Sequence, residues 1–192
     1  MLRPTHKTAP DESPISLDEA KAHCRVDFTD DDALIAGLID AAIARVDGHA
    51  GILGRCMITQ VWTQAYPCWG MGLRLPFPDV ASVVIRYRDA DDVEQTLPAE
   101  QFELVEDARG GWIAFRDAFA APTLNADRVA PISIDLTAGY GSAAESVPAS
   151  IRHALLMMVA HWYETREAVT AEDMESVPLA VEALLAPHRR FM

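Results

Sequence analysis

Apolar positions along this chain recur at two periods, and the switch between them falls near Cys56 and again near Gly141. Before Cys56 the spacing is helical. Ser16 and Glu19 form a capping-box pair ahead of Leu17, Ala20 and Cys24, which predicts a short helix over residues 17–25. Leu34, Ile35, Leu38, Ile39, Ala42, Ile43 and Val46 make a broad apolar stripe that predicts a second helix, starting after Thr29 or Asp30 and ending near Gly48 or Gly51. Asp30, Asp31 and Asp32 stand at its start, where the helix dipole favours negative charge.

From Cys56 onward, β-branched and aromatic residues alternate with polar ones between turn signals. Strands are predicted over Ile58–Tyr66 and Leu73–Leu75, the latter stopped by Pro76-Phe77-Pro78. Val83, Ile85 and Tyr87 define a strand that turns at Asp89–Asp92 and returns over Val93–Leu97 as a hairpin. Phe102–Val105 and Trp112–Phe115 repeat that arrangement around Arg109-Gly110-Gly111, and Ile132, Ile134 and Leu136 mark a last strand. Short turns between strands imply antiparallel pairing rather than β-α-β units.

Helical spacing resumes after Val147-Pro148. Ile151, Ala154, Leu155, Met158, Val159 and Trp162 share one face, with Pro148 suited to a first helical position, so residues 147–169 read as a long core helix. An acidic linker over residues 170–177 leads to a short amphipathic helix over Pro178–Ala186, which Pro187 stops. The predicted fold class is α+β: a bundle of N- and C-terminal helices (residues 15–55 and 147–169) with an antiparallel β region, residues 56–141, inserted between them. Residues 1–14, with Pro4, Pro10 and Pro14, read as a flexible arm that orders on a partner, and residues 170–192 as linker, short helix and tail.

Charge narrows the function. The net charge of −13 comes with only two lysines, Lys7 and Lys21, which argues against a protein that grips nucleic acid. No apolar run is long enough to span a bilayer, and residues 1–14 lack the pattern of a signal peptide, so a soluble protein made inside the cell is expected, with no membrane partner. Cys24, Cys56 and Cys68 offer no disulfide framework.

Candidate chemistry is sparse. The sequence has no G-x-S-x-G, no Gly-rich phosphate loop and no H-E-x-x-H helix. His23-Cys24 with His49, His153 or His161 is the best metal set, but adjacent helical residues diverge by roughly 100°, and a capped helix with a buried Cys explains them as well. Asp30–Asp32 and the Asp89, Asp91, Asp92 group suit helix capping and a solvated turn better than acid-base or cation chemistry. His161, Trp162, Tyr163 and Arg166 fit packing better than a ligand site. The expectation is no catalytic residue, no metal and no cofactor. The alternatives are a small metal- or ligand-binding enzyme domain and a monomeric DNA-packaging accessory protein.

Three segments in register resemble a known family. Thr137-Ala138-Gly139-Tyr140-Gly141, then Val147-Pro148, an apolar helix and His161-Trp162-Tyr163-Glu164-Thr165-Arg166-Glu167 form one; Ile15 to Asp27 with Asp30 to Ile35 form another; Val177 to Arg189 form the third. They resemble the head-tail connector, or adaptor, proteins of long-tailed phages and gene transfer agents, with Cys24 standing where an aliphatic residue is expected. The resemblance implies a virion structural protein of the capsid vertex and neck. It further implies a dodecameric homo-oligomeric ring between the portal protein and the stopper, head-completion and tail proteins, with DNA passing through the lumen without tight binding. The tail residues Leu184, Leu185, Pro187, His188, Arg189, Arg190, Phe191 and Met192 are the expected portal-docking set, because Phe191 and Met192 put apolar groups beside cations at the tip.

Overall fold

The computed structural model describes residues 2–165 and 179–190. They fall into two units, one helical (Asp11–Ile58 and Gly141–Arg189) and one β (Met1–Pro10, Thr59–Tyr140 and Arg190–Met192). The fold is α+β, with every strand pair antiparallel.

The helical unit is built from α1 (Leu17–Cys24), α2 (Asp32–Val46), α3 (Ala149–Glu164) and α4 (Leu179–Leu185). The predicted capping box forms: Ser16 Oγ accepts from Glu19 N (3.1 Å) and Glu19 Oε2 accepts from Ser16 N (2.8 Å). Arg25, in the left-handed region at φ 57°, closes α1. Pro148 stands at the N-cap of α3 rather than inside its first turn, and α3 ends at Glu164, so residues 166–169 of the predicted helix lie outside the described residues. Helix α3 packs on all three others, burying Ile151, Ala154, Leu155, Met158, Val159 and Trp162, the face the periodicity selects. Ile35, Ile39, Ala42 and Val46 of α2 and Val181 and Leu185 of α4 complete this core. Ion pairs lie at its rim: Lys21 with Asp32 at 2.5 Å, and Arg152 with Glu19.

The β unit holds two sheets. The larger has the order β1 (Thr5–Thr8), β2 (Gln60–Tyr66), β8 (Ile132–Ala138), β4 (Val80–Arg88), β5 (Glu94–Thr96); the smaller has the order β3 (Gly72–Arg74), β7 (Gly110–Phe115), β6 (Phe102–Asp107). Both predicted hairpins are present. The N-terminal arm differs from expectation, because Thr5–Thr8 pairs with β2 as an edge strand, with a register shift between His6 and Thr8. His6 stacks on Trp62 (4.7 Å between ring centroids), an aromatic contact that a proline-bearing polar segment gives no periodic hint of. Tyr66 of β2 reaches from one sheet to the other, donating to the Arg74 carbonyl at 2.5 Å, and burial pushes its phenol up.

Candidate assembly surfaces

The C-terminal segment, read from sequence as a docking tail, is largely engaged within its own chain. Val181 and Leu185 are fully buried, so Leu185 serves the helical core and is not presented to a partner. After α4 the chain makes one 3₁₀ turn, Ala186–His188, with Pro187 in its first positions; the proline redirects the helix rather than simply ending it. His188 Nε2 lies 2.8 Å from Ser150 Oγ at the start of α3, and burial, then the nearby Arg55 charge, hold its imidazole below the ordinary range. Leu184 is half-buried, Pro187 and Arg189 are exposed, and Phe191 and Met192 lie outside the described residues.

Arg190 is bound within the β unit by three backbone carbonyls. Its Nε donates to Arg109 O at 3.0 Å, Nη2 to Leu75 O at 3.2 Å and Nη1 to Pro76 O. Gly110 follows the Arg109 carbonyl in this cage, and its φ of +102° is a backbone conformation that glycine adopts freely. Backbone carbonyls carry no residue-type signature, so sequence reasoning had only the Gly110-Gly111 pair to point to this place, and read it as a turn alone.

A second feature escaped the sequence reading. Asp135 sits mid-strand on β8, between Thr63 of β2 and Val84 of β4 in register. Lys7 Nζ (2.5 Å), Thr63 Oγ1 (2.6 Å) and Arg86 Nη1 all donate to its carboxylate. Burial opposes ionisation there, but the hydrogen bonds outweigh it and hold the carboxyl at about 2. Alternation did place Asp135 opposite the Ile134 and Leu136 face. Its three donors come from strands that the sequence does not register against each other.

The remaining candidates resolve into structural roles. Asp31 is the N-cap residue of α2, yet its side chain makes no capping bond; Oδ2 accepts from Tyr163 OH at 2.6 Å. Asp89 accepts from the backbone of Asp91 (3.1 Å) and Val93 (3.0 Å) and from Gln95 Nε2 (2.8 Å), and Asp92 takes a two-pronged bond from Arg128 at 2.5 and 2.7 Å. These donors hold both carboxyls below their ordinary range, a solvated turn satisfied by its own neighbours. His23 meets His153 edge-on at 5.7 Å, while burial, with Glu164, pushes the Cys24 thiol up and away from metal-binding thiolate. Trp162 is buried and His161 half-buried, and Arg166 lies outside the described residues. Among the described residues no three His, Cys, Asp or Glu side chains converge as a metal set.

This architecture, a capped helical bundle carrying an antiparallel β region, has known counterparts. Residues 14–63 match the family described as phage gp6-like head-tail connector protein. A chain in the virion of a native gene transfer agent particle is 26% identical, with a TM-score of 0.79, over 100% of this chain and 97% of that one. The same identity and coverage hold for chains in the neck of the empty particle computed with C6 symmetry (TM-score 0.79) and of the native particle computed with C12 symmetry (0.77). No curated protein matches the sequence significantly. The N-terminal match and the full-length likeness together support the head-tail connector family of phages and gene transfer agents that the sequence resembles.

Proposed function

We propose that this chain is a non-catalytic structural connector in the neck of a phage-like particle, where copies form a dodecameric ring between the portal and the stopper and tail components. The observation that carries the reading is the end-to-end likeness to a chain of a gene transfer agent neck computed with C12 symmetry. Heterologous contacts closed by rotation build such a ring from one kind of subunit. DNA passes through its lumen, and −13 per copy keeps the duplex from sticking to the wall.

The tail divides into two roles under this reading. Val181, Leu185, His188 and Arg190 seat the segment on its own protomer, which leaves Leu184, Pro187, Arg189, Phe191 and Met192 to engage the portal. Cryo-electron microscopy of particles carrying a tagged copy tests the ring: rotational symmetry matching the portal is expected, and a single copy at the vertex, or none, overturns it. Deleting only Phe191 and Met192 tests the tail. Heads from that variant are expected to bind the protein weakly, whereas unchanged occupancy moves the attachment surface to the folded body.

A further inference from the structure

The larger sheet gathers three arginines on one side. Arg86 and Arg88 lie two residues apart on β4 and share a face of it, with Ser133 of β8 opposite Arg86 and Glu94 of β5 opposite Arg88. Arg128 reaches the same place from the stretch between β7 and β8, and the five side chains line one pocket of about 160 Å³. Each guanidinium is held from one side. Asp135 accepts from Arg86 and also from Lys7, Asp92 accepts from Nε and Nη2 of Arg128, and Arg88 donates to Asp92 O (3.1 Å) and to Glu94 (3.3 Å). Asp92 and Asp135 stand outside the lining, and Asp89 spends its carboxylate on its own turn.

Counted with all of these partners, four cations meet four carboxylates, so the pocket offers donors rather than net charge. A guanidinium has five N–H groups. Arg86 gives only Nη1 to the protein, and among the described residues Arg128 Nη1 and the Ser133 hydroxyl make no bond. Unspent donors in fixed positions call for an acceptor, and N–H forks fit a carboxylate or a phosphate. Duplex DNA is the poorer guest, because gripping it takes a surplus of cations along rows of phosphates, and this site is charge-balanced with Asp91 and Asp127 in the adjoining loops. A single side-chain carboxylate brings one charge on a slim stem. The two units differ in what they can supply: the helical unit has seventeen Asp and Glu against seven Lys and Arg, the β unit twelve against nine. Donors on one unit and surplus carboxylates on the other make the heterologous pair of surfaces that a ring of identical subunits needs.

We propose that the pocket lined by Arg86, Arg88, Arg128 and Ser133 in one copy seats an Asp or Glu side chain from the helical unit of the next copy. The inference rests on the ring reading above, and it gives an acidic chain a way to join its own kind.

The test uses particles assembled with Arg88→Glu/Arg128→Glu protein, with Arg88→Gln/Arg128→Gln as a milder second variant. Both side chains are part-exposed, so circular dichroism is expected to match wild type while copies per neck, counted by mass spectrometry, fall about tenfold or more. Asp92→Asn keeps both guanidiniums and suits the φ of 61° at that position, so it is expected to cost much less. An equal loss would make the Arg128 clamp on its loop the cause and overturn the socket. Carbodiimide joins amines to touching carboxylates, and the chain has only two lysines, Lys7 and Lys21. Particles carrying Arg128→Lys are therefore expected to give a two-copy product in which position 128 is joined to an Asp or Glu of residues 11–58 or 141–189. Products confined to one chain, or joined to another protein, overturn the second-copy guest. Wild-type protein missing from the neck overturns the connector reading and the pocket with it. Wild-type protein present in the neck and both arginine variants at normal occupancy overturn the pocket alone.

Discussion

The two units place their polar groups differently. In the helical unit the buried side chains are apolar and the ion pairs stand at the rim, as Lys21–Asp32 and Arg152–Glu19 do. The β unit contains the buried polar residues of the described chain, Gln60, Gln64 and Asp135. Gln64 Nε2 donates to Leu2 O (2.6 Å) and Ala65 O (3.0 Å), and Gln60 Oε1 accepts from Trp62 Nε1 at 3.1 Å. The helical unit is therefore specified by shape and period, and the β unit by directed bonds that fix register.

The largest expected effect lies in the apolar core. Leu155→Ala empties a fully buried site on the helix that touches α1, α2 and α4, at a cost of about 2–5 kcal/mol. Denaturant titration followed at 222 nm is expected to show that loss, and a change within about 1 kcal/mol would mean that α3 is not the centre of the bundle.

Next comes the directed cluster. Asp135→Asn leaves the Lys7 and Arg86 cations facing a neutral amide, and because Lys7 is half-exposed the expected loss is about 1–3 kcal/mol rather than the full cost of a buried pair. Thermal melting of the variant measures it. Restoration by high salt would show the pairs to be screened surface contacts.

Acid separates the units by pH. Asp135 has its carboxyl lowered from 3.8 to about 2, so its contribution, on the order of 2 kcal/mol, is complete above about pH 4 and lost as pH falls through 2. Partial burial, and then the Arg55 charge, lower His188 from 6.5, so its neutral form is favoured in the fold and stability declines as pH falls below 6.5. Stability against pH is expected to weaken first through the helical unit and then, in stronger acid, through the β unit. His188→Gln is expected to remove the first step and keep the second.

The smallest effects are at the ends of elements. Ser16→Ala removes the α1 cap at a cost of about 1 kcal/mol, and Arg190→Ala, which gives up bonds from a half-exposed guanidinium, is expected to cost about 1 kcal/mol or less. Differential scanning calorimetry resolves both. A larger loss in the Arg190 variant would make the carbonyl cage a structural keystone.

Legibility followed the same division. The α1 cap, the α2 and α3 buried faces and both hairpins could be read because each depends on neighbours within a few residues. The β1 strand could not, since His6 is held by Trp62 and Lys7 by Asp135, partners more than fifty positions away. The stretch between β7 and β8 carries Phe119 without alternation, and its partners Trp69 and Phe115 are not marked by any local pattern. The docking tail was recognised as a segment, but which of its residues face inward depended on Ser150 and on carbonyls that no sequence pattern marks.

The order of the units along the chain has a consequence for synthesis. The chain passes between them four times, and the β unit owns both the first residues and the last. A ribosome delivers β1 long before its partner β2, and the α3 face long before α4. Both units need the segment over residues 179–190, so neither closes as a finished domain while the rest of the chain is being made. A subunit cut short during translation carries an open bundle and an empty carbonyl cage, which marks it for proteolysis before it reaches a growing particle.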